Sequence, residues 1–313
     1  NVMWSSPDAC MFLSSHSSEG EVKDATWLAK VLSAKIEEVG PENVVMVVTD
    51  NASVCVAAGK QLEHKYPHIM WVGCLAHCLD LLIKDICKQP WAAHVIDLCR
   101  TIVKFIKQHD KTRHLFSTHS ALQLLLPGDT RFATAITTLE RLVKVKEALV
   151  LTVRDPEWAK FKKRLPKQRR DRAKLIEQAI LSKSEEGKRM WADAVVLVDL
   201  CHPMVTMLRM ADGQAPCTGE VYHFMYTLQE HVKAADLGGR SAEEGAARRS
   251  ALEALLLLRW DFLHQPIYAA AYALNPQFWH QNLEDENEVM QGLRSTLENL
   301  LGPDLVNVAL QES

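Results

Sequence analysis

The chain has 313 residues, 48% of them hydrophobic and 24% charged, and a formal net charge of −3. These values describe an ordinary globular chain with room for one large domain or two smaller ones. They exclude a global electrostatic affinity for nucleic acid, so any such role has to come from a local patch. No uninterrupted apolar run approaches the roughly 18 residues of a membrane span, and the opening NVMWSSPDAC has no basic segment followed by an apolar core. It also has no initiator Met, which leads us to expect a piece of a longer protein. The eight cysteines (Cys10, Cys55, Cys74, Cys78, Cys87, Cys99, Cys201 and Cys217) sit mostly in apolar stretches, and we read them as reduced thiols.

In chain order, Asn1 to Ser5 and Cys10 to Ser14 read as two short strands joined by a Ser-Pro-Asp turn. Asp24 caps a helix that runs to about Val39, with Trp27, Leu28, Val31, Leu32 and Ile36 on one face, and Gly40-Pro41 ends it. Val44 to Val48 is an unbroken apolar run that leads into Thr49 and Asp50, the pattern of a buried parallel strand with a carboxylate at its carboxyl end. A helix over about 51–66, a short strand over 69–72 and a well-patterned helix over 74–88 follow. Residues 1–89 thus read as an α/β part with a mixed sheet.

From Trp91 onward no strand stands out. Amphipathic segments run at about 91–108, 131–153, 186–211, 218–236, 246–264 and 286–301, with breaks at Pro127-Gly128, Pro203, Gly213 to Pro216, Gly238-Gly239 and Pro276. Residues 90–313 read as an all-α domain.

Four features could carry chemistry. Asp50 is either a helix-start residue, like its neighbours Asn51 and Ser53, or one ligand of a divalent-metal site that needs further acids. In CLAHC, Cys74 and His77 lack two more ligands at zinc spacing, and His77 falls opposite the apolar stripe with Asp80 one turn away, so it is not a simple core histidine. Arg131 and Phe132, at a helix start after Pro127-Gly128-Asp129, are either capping plus a core ring or a guanidinium–aromatic pair that clamps a nucleotide. Residues 160–174, KFKKRLPKQRRDRAK, hold nine Lys or Arg in fifteen positions, with Pro166 in the middle. They are either a solvated loop or a nuclear-targeting or phosphate-contacting stretch, in which Lys162, Lys163, Arg169 and Arg170 are the candidates for DNA contact.

The stretch VVTDNASVCVAAGKQLEHKYPHIMWVGCLAHCLDL, followed in order by TRFATAITTLERL at 130–142 and RWDFLHQPIYAAAYALNPQFW at 259–279, closely resembles the plant hAT transposase-like proteins, over nearly the whole chain. The resemblance implies a ribonuclease-H-like sheet interrupted by a large helical insertion. It also implies DNA cleavage and strand transfer by three acids that hold Mg²⁺ or Mn²⁺, and a nuclear location. Asp50 matches the second acid. Arg131 and Phe132 match a DNA-contacting Arg-aromatic motif that often has Trp in second place, and Cys74 and His77 belong to the family pattern.

The strand with the first acid would precede Asn1, and the third acid and a self-association segment would follow Ser313. In the sheet order 3-2-1-4-5, Asp8 lies at the opposite end from Asp50 and Asp24 lies three strands away, about 14 Å at the usual strand spacing, so neither substitutes. The expectation is an incomplete ribonuclease-H-like sheet with a gap at its centre, followed by a helical insertion domain. Its function is DNA binding without cleavage by this chain alone, or a domesticated DNA- or protein-binding module.

Overall fold

The structure is a computed structural model that describes residues 1–306 except 7, 8, 18, 19, 21, 127, 129–132, 214, 215, 281–285, 303 and 304. It is mostly helical with small sheets. Its residues group into two compact units. One comprises Asn1–Leu79, Thr206–Glu230 and Leu256–Ser313, and the other comprises Asp80–Val205 and His231–Leu255.

In the first unit, β1 (Val2–Ser5) and β2 (Cys10–Ser14) form an antiparallel ribbon, and β3 (Met46–Thr49) and β4 (Met70–Gly73) form a parallel pair. These are two separate two-stranded sheets rather than one continuous sheet. Helix α1 (Ala25–Val39) starts where expected: the Asp24 carboxylate accepts the Trp27 N–H at 2.8 Å, and Gly40 ends the helix at φ 92°. It packs on α2 (Ser53–Lys65) through a core of Ile36, Leu62, Tyr66 and Ile69, joined by Leu32, Val44 and Val47. Gly59 of α2 is required by β4, because a Cβ there would lie 2.2 Å from the Trp71 ring.

The second unit is built from helices. The part of α3 (Leu75–Cys87) from Asp80 onward leads into α4 (Pro90–Gln108), whose buried stripe of Ala92, Val95, Ile96, Cys99, Ile102, Val103 and Ile106 repeats at helical spacing. Around it lie α5 (Asp110–His119), α6 (Thr134–Lys144), α7 (Lys146–Arg154), α8 (Pro156–Arg164) and α9 (Lys167–Ile180). The segment expected as one helix over 131–153 is two. Val145 is buried, and its ψ of 17° departs from the helical value and ends α6 before α7 begins.

Two further expectations change. Pro203 does not break its helix: α10 runs unbroken from Glu185 to Ala211. A proline at 203 has no N–H for the Asp199 carbonyl, and the His231 ring nitrogen Nε2 lies 3.2 Å from that oxygen and satisfies it instead. Helix α10 is long and apolar enough by length and composition to cross a membrane. Its face of Trp191, Ala194, Leu197, Leu200, Cys201 and Met204 is nevertheless buried among protein side chains, and it carries the buried Asp193.

Residues 160–174 are not a solvated loop either. They form the end of α8 and the start of α9, because Trp158, Leu165, Ala173 and Ile176 are buried and the charges take the remaining positions. Pro166 sits between the helices, where its missing N–H costs nothing. The chain then continues through α11 (Val221–Ala234), α12 (Ala242–Leu263), α13 (Pro266–Ala273) and α14 (Asn287–Leu301), and all eight cysteines are free thiols.

Candidate nucleic-acid interface

Asp50 stands where β3 ends and the turn into α2 begins. Its Oδ1 accepts the Ala52 N–H at 3.0 Å, and the Cys55 thiol donates to it as well. These two donors, the thiol first, hold the carboxyl below the usual carboxylate range. Burial, followed by the Asp50 carboxylate, pushes the Cys55 thiol up to about 11. Thr49 Oγ1 donates to the Asp50 carbonyl at 3.0 Å and accepts the Trp71 indole N–H at 2.9 Å, and the Cys74 N–H donates to the Thr49 carbonyl at 2.7 Å. Cys74 and Asp50 are therefore brought to the same carboxyl end of the parallel pair. His77, partly buried on α3, adds a smaller charge effect on Asp50.

Asn51 ties this end together. Its Nδ2 donates to Cys78 Sγ at 2.8 Å, and its Oδ1 lies 2.1 Å from the position a Cβ on Gly73 would take, so only glycine fits there. The geometry makes Asp50 a turn and helix-start residue. Divalent-metal chemistry needs several convergent acids. Among the described residues no group of three His, Cys, Asp or Glu side chains is placed to hold a metal ion.

A residue that sequence reasoning passed over is more tightly held. Asp80 is 2% exposed, and its Oδ1 accepts the Ala133 N–H at 2.9 Å across 53 residues, while Lys84 pairs with its Oδ2 at 2.7 Å. Ala133 has φ 51°, a left-handed conformation that costs a non-glycine residue energy. The buried carboxylate thus holds the backbone at the start of α6. Periodicity carries no signal for this burial, since Asp80 lies with His77 opposite the apolar stripe of Leu75, Leu82 and Ile86. Arg131 and Phe132, just before Ala133, lie outside the described residues.

A cleft of about 510 Å³ opens beside this anchor, lined in part by Asp80, Lys84, Asp97, Arg100 and Thr134. Its cations are paired: Lys84 with Asp80 at 2.7 Å, Arg100 with Asp97 at 3.7 Å, and Lys88 with Asp85 outside the cleft at 2.8 Å. It therefore offers little surplus positive charge to a phosphate.

The surplus lies on α8 and α9. Of the four cations expected there as DNA contacts, two are turned to structural use. Lys162 pairs with Glu177, which also accepts the Trp158 indole N–H at 2.8 Å. Arg170 donates from Nη2 to the Leu165 carbonyl at 3.0 Å, closing the turn between the helices. Lys163 and Arg169 are exposed.

The late motif at 259–279 is structural. Trp260 packs edge-on to Tyr222, with ring centroids 4.7 Å apart, Tyr272 and Phe278 are buried, and Asn275 accepts the Gln277 N–H at 3.1 Å.

Residues 1–102 match the model of a family described as "Domain of unknown function (DUF659)". The match spans β1 to β4, α1 to α3 and most of α4, about a third of the chain. That family is associated with transposase-related plant proteins. No curated protein matches the chain.

Proposed function

We propose that this chain is a nucleic-acid-binding part of a transposase-derived, hAT-like nuclear protein and that it does not cut DNA by itself. The observation that carries the reading is the charge distribution. Nine of the 36 basic residues and only Asp171 of the 39 acidic ones fall within 160–174. That segment carries +8 while the remainder of the chain carries −11. A strongly positive segment on an otherwise acidic chain attracts polyanions.

The family match of residues 1–102 and the order of the motifs support the transposase-related origin. The two separate sheets support a ribonuclease-H-like ancestry. In the order 3-2-1-4-5, leaving out strand 1 separates 3-2 from 4-5, which corresponds to β2-β1 and β3-β4. In this reading the full-length protein supplies the central strand. Arg131 and Phe132 would then be DNA contacts, and Cys74 and His77 would hold the end of the sheet.

The test is binding of a labelled DNA duplex by the chain as it stands, with and without Mn²⁺. Salt-sensitive binding that is indifferent to the metal is the expected result. Cleavage of the duplex in Mn²⁺, lost on Asp50→Asn, would overturn the non-catalytic part of the reading. Binding that ignores salt would remove the charge-based account of the contact, and no binding at all would remove the nucleic-acid part.

A further inference from the structure

The nine basic residues of 160–174 are not equivalent in the structure. Lys160 pairs with Glu157 at 2.6 Å, Lys174 with Asp171 at 3.4 Å, and Lys162 with the half-buried Glu177. Arg170 is spent on the Leu165 carbonyl. Lys163, Arg164, Lys167, Arg169 and Arg172 remain, all exposed, and none has an acidic partner among the described residues. They come from the last turn of α8 and the first turns of α9, on both sides of Pro166.

The two helix ends carry this charge differently. At the end of α8 cations suit the negative end of the helix dipole. At the start of α9 they oppose it. Helix α9 has no acid in its first turn and no side-chain cap, and Lys167, Arg169 and Arg170 crowd its positive end. A helix designed for stability alone would place Asp or Glu there. The unfavourable arrangement is held in shape from below. Trp158 is 1% exposed and bonded to Glu177, and its ring packs edge-on to Phe105 at 6.0 Å. The cations are therefore carried on a preorganised elbow, which lowers the entropy lost when an anion is bound. The apolar residues of α9, Ala173, Ile176, Ala179 and Ile180, are buried inside the fold, which leaves Leu175 as its exposed apolar residue. An interfacial membrane helix needs an apolar face, and α9 does not offer one.

Resting on the nucleic-acid reading above, we infer that the α8–α9 elbow contacts a nucleic-acid phosphate backbone through Lys163, Arg164, Lys167, Arg169 and Arg172. Lys162 and Arg170 shape the elbow without touching the ligand. The contact is to phosphate, so it reads charge spacing rather than base sequence.

The experiment measures anisotropy of a fluorescent random-sequence duplex against KCl concentration for three forms of the chain. These are the unaltered chain, the triple variant Arg164→Ala/Lys167→Ala/Arg172→Ala, and Lys162→Met. All three triple-variant positions are exposed and lack an acidic partner among the described residues, so its thermal midpoint stays close to that of the unaltered chain. The triple variant is expected to lose at least tenfold in affinity at low salt and to flatten the slope of log K against log salt by about 2.7, at about 0.9 per phosphate contact. Lys162→Met is expected to lower the thermal midpoint and to leave the slope within about half a contact of the original. If the unaltered chain binds but the triple variant keeps its slope, or if Lys162→Met flattens the slope as much as the triple variant does, the elbow assignment is wrong while DNA binding stands. If the unaltered chain binds no duplex at 50 mM KCl, the nucleic-acid reading itself fails. Binding instead to vesicles rich in phosphatidylserine, lost in the triple variant, would assign the elbow to an anionic membrane and overturn the proposal.

Discussion

The strand-bearing stretch of residues 1–73 and the helical stretch of residues 90–180 solve the same problem with different success. In the helical stretch Ile102, Val103, Ile106, Leu139, Leu142 and Leu149 are each 0% exposed. Each helix closes its own backbone hydrogen bonds and needs neighbours only to cover one stripe. In the strand-bearing stretch Met3 is 56%, Phe12 57% and Val48 51% exposed. A strand cannot satisfy its own N–H and C=O groups, and a two-stranded sheet leaves its outer edges unpaired, so such a pair is marginal without further strands or a covering helix. Helical structure is thus complete piece by piece, whereas sheet structure depends on having every strand.

Hydrogen exchange tests the contrast most directly. Amides of β1 and β2 are expected to exchange roughly a hundredfold faster than those in the centre of α4, and equal protection would break the comparison.

Within the helical part the buried charges are the sensitive points. Arg248 bonds Asp193 at 2.7 Å and the Leu237 carbonyl at 2.8 Å and lies over the Trp91 ring at 4.5 Å, with both charged side chains under 10% exposed. Arg248→Ala strands the Asp193 carboxylate and is expected to cost about 3–5 kcal/mol in urea unfolding, with most of the loss recovered in Arg248→Met/Asp193→Leu.

Asp80→Ala releases the Ala133 N–H and is expected to cost about 2–4 kcal/mol. The same substitution should raise exchange at the start of α6. Unchanged exchange there would show that the anchor is not what holds Ala133 in its left-handed conformation.

Gly59→Ala tests the strand-bearing part, since the new methyl meets Trp71. We expect about 1–3 kcal/mol of destabilisation and a shift of tryptophan fluorescence.

The smallest effect concerns pH. The Asp50 carboxyl is held below its usual range by the Cys55 thiol and the Ala52 N–H, so the folded chain binds its proton less readily than the unfolded chain does. Its contribution is present above about pH 4 and disappears as pH falls through the folded value. The difference in stability between the unaltered chain and Asp50→Asn should therefore shrink from pH 6 to pH 3. A constant difference would remove the assigned hydrogen bonds.

The longer helices were legible, because 3.6-residue periodicity and end signals such as Asp24 and Gly40 are local, whereas α5, α8, α9 and α13 fell outside the expected segments. The four strands were legible for the same reason. Two helical boundaries were set by tertiary context instead. The Pro203 break disappeared because His231 supplies the donor that proline lacks, and the 131–153 helix divided where buried Val145 turns the chain. The basic segment read as a loop because charge masks the buried spacing of Trp158, Leu165, Ala173 and Ile176.

At the candidate sites, residue types pointed to places but not to roles. Nine cations in fifteen residues announced a positive surface from sequence alone, because charge is a property of composition. Which of them face solvent unpaired was decided by the packing of α8 on α9, where Glu177 claims Lys162 and a carbonyl claims Arg170. The pairing of Asp80 with Ala133 spans 53 residues, a separation that no local pattern encodes. Periodicity, caps and charge act over a few residues and can be read along the chain. Partners brought together by folding are selected by burial and geometry, and only the tertiary structure supplies those.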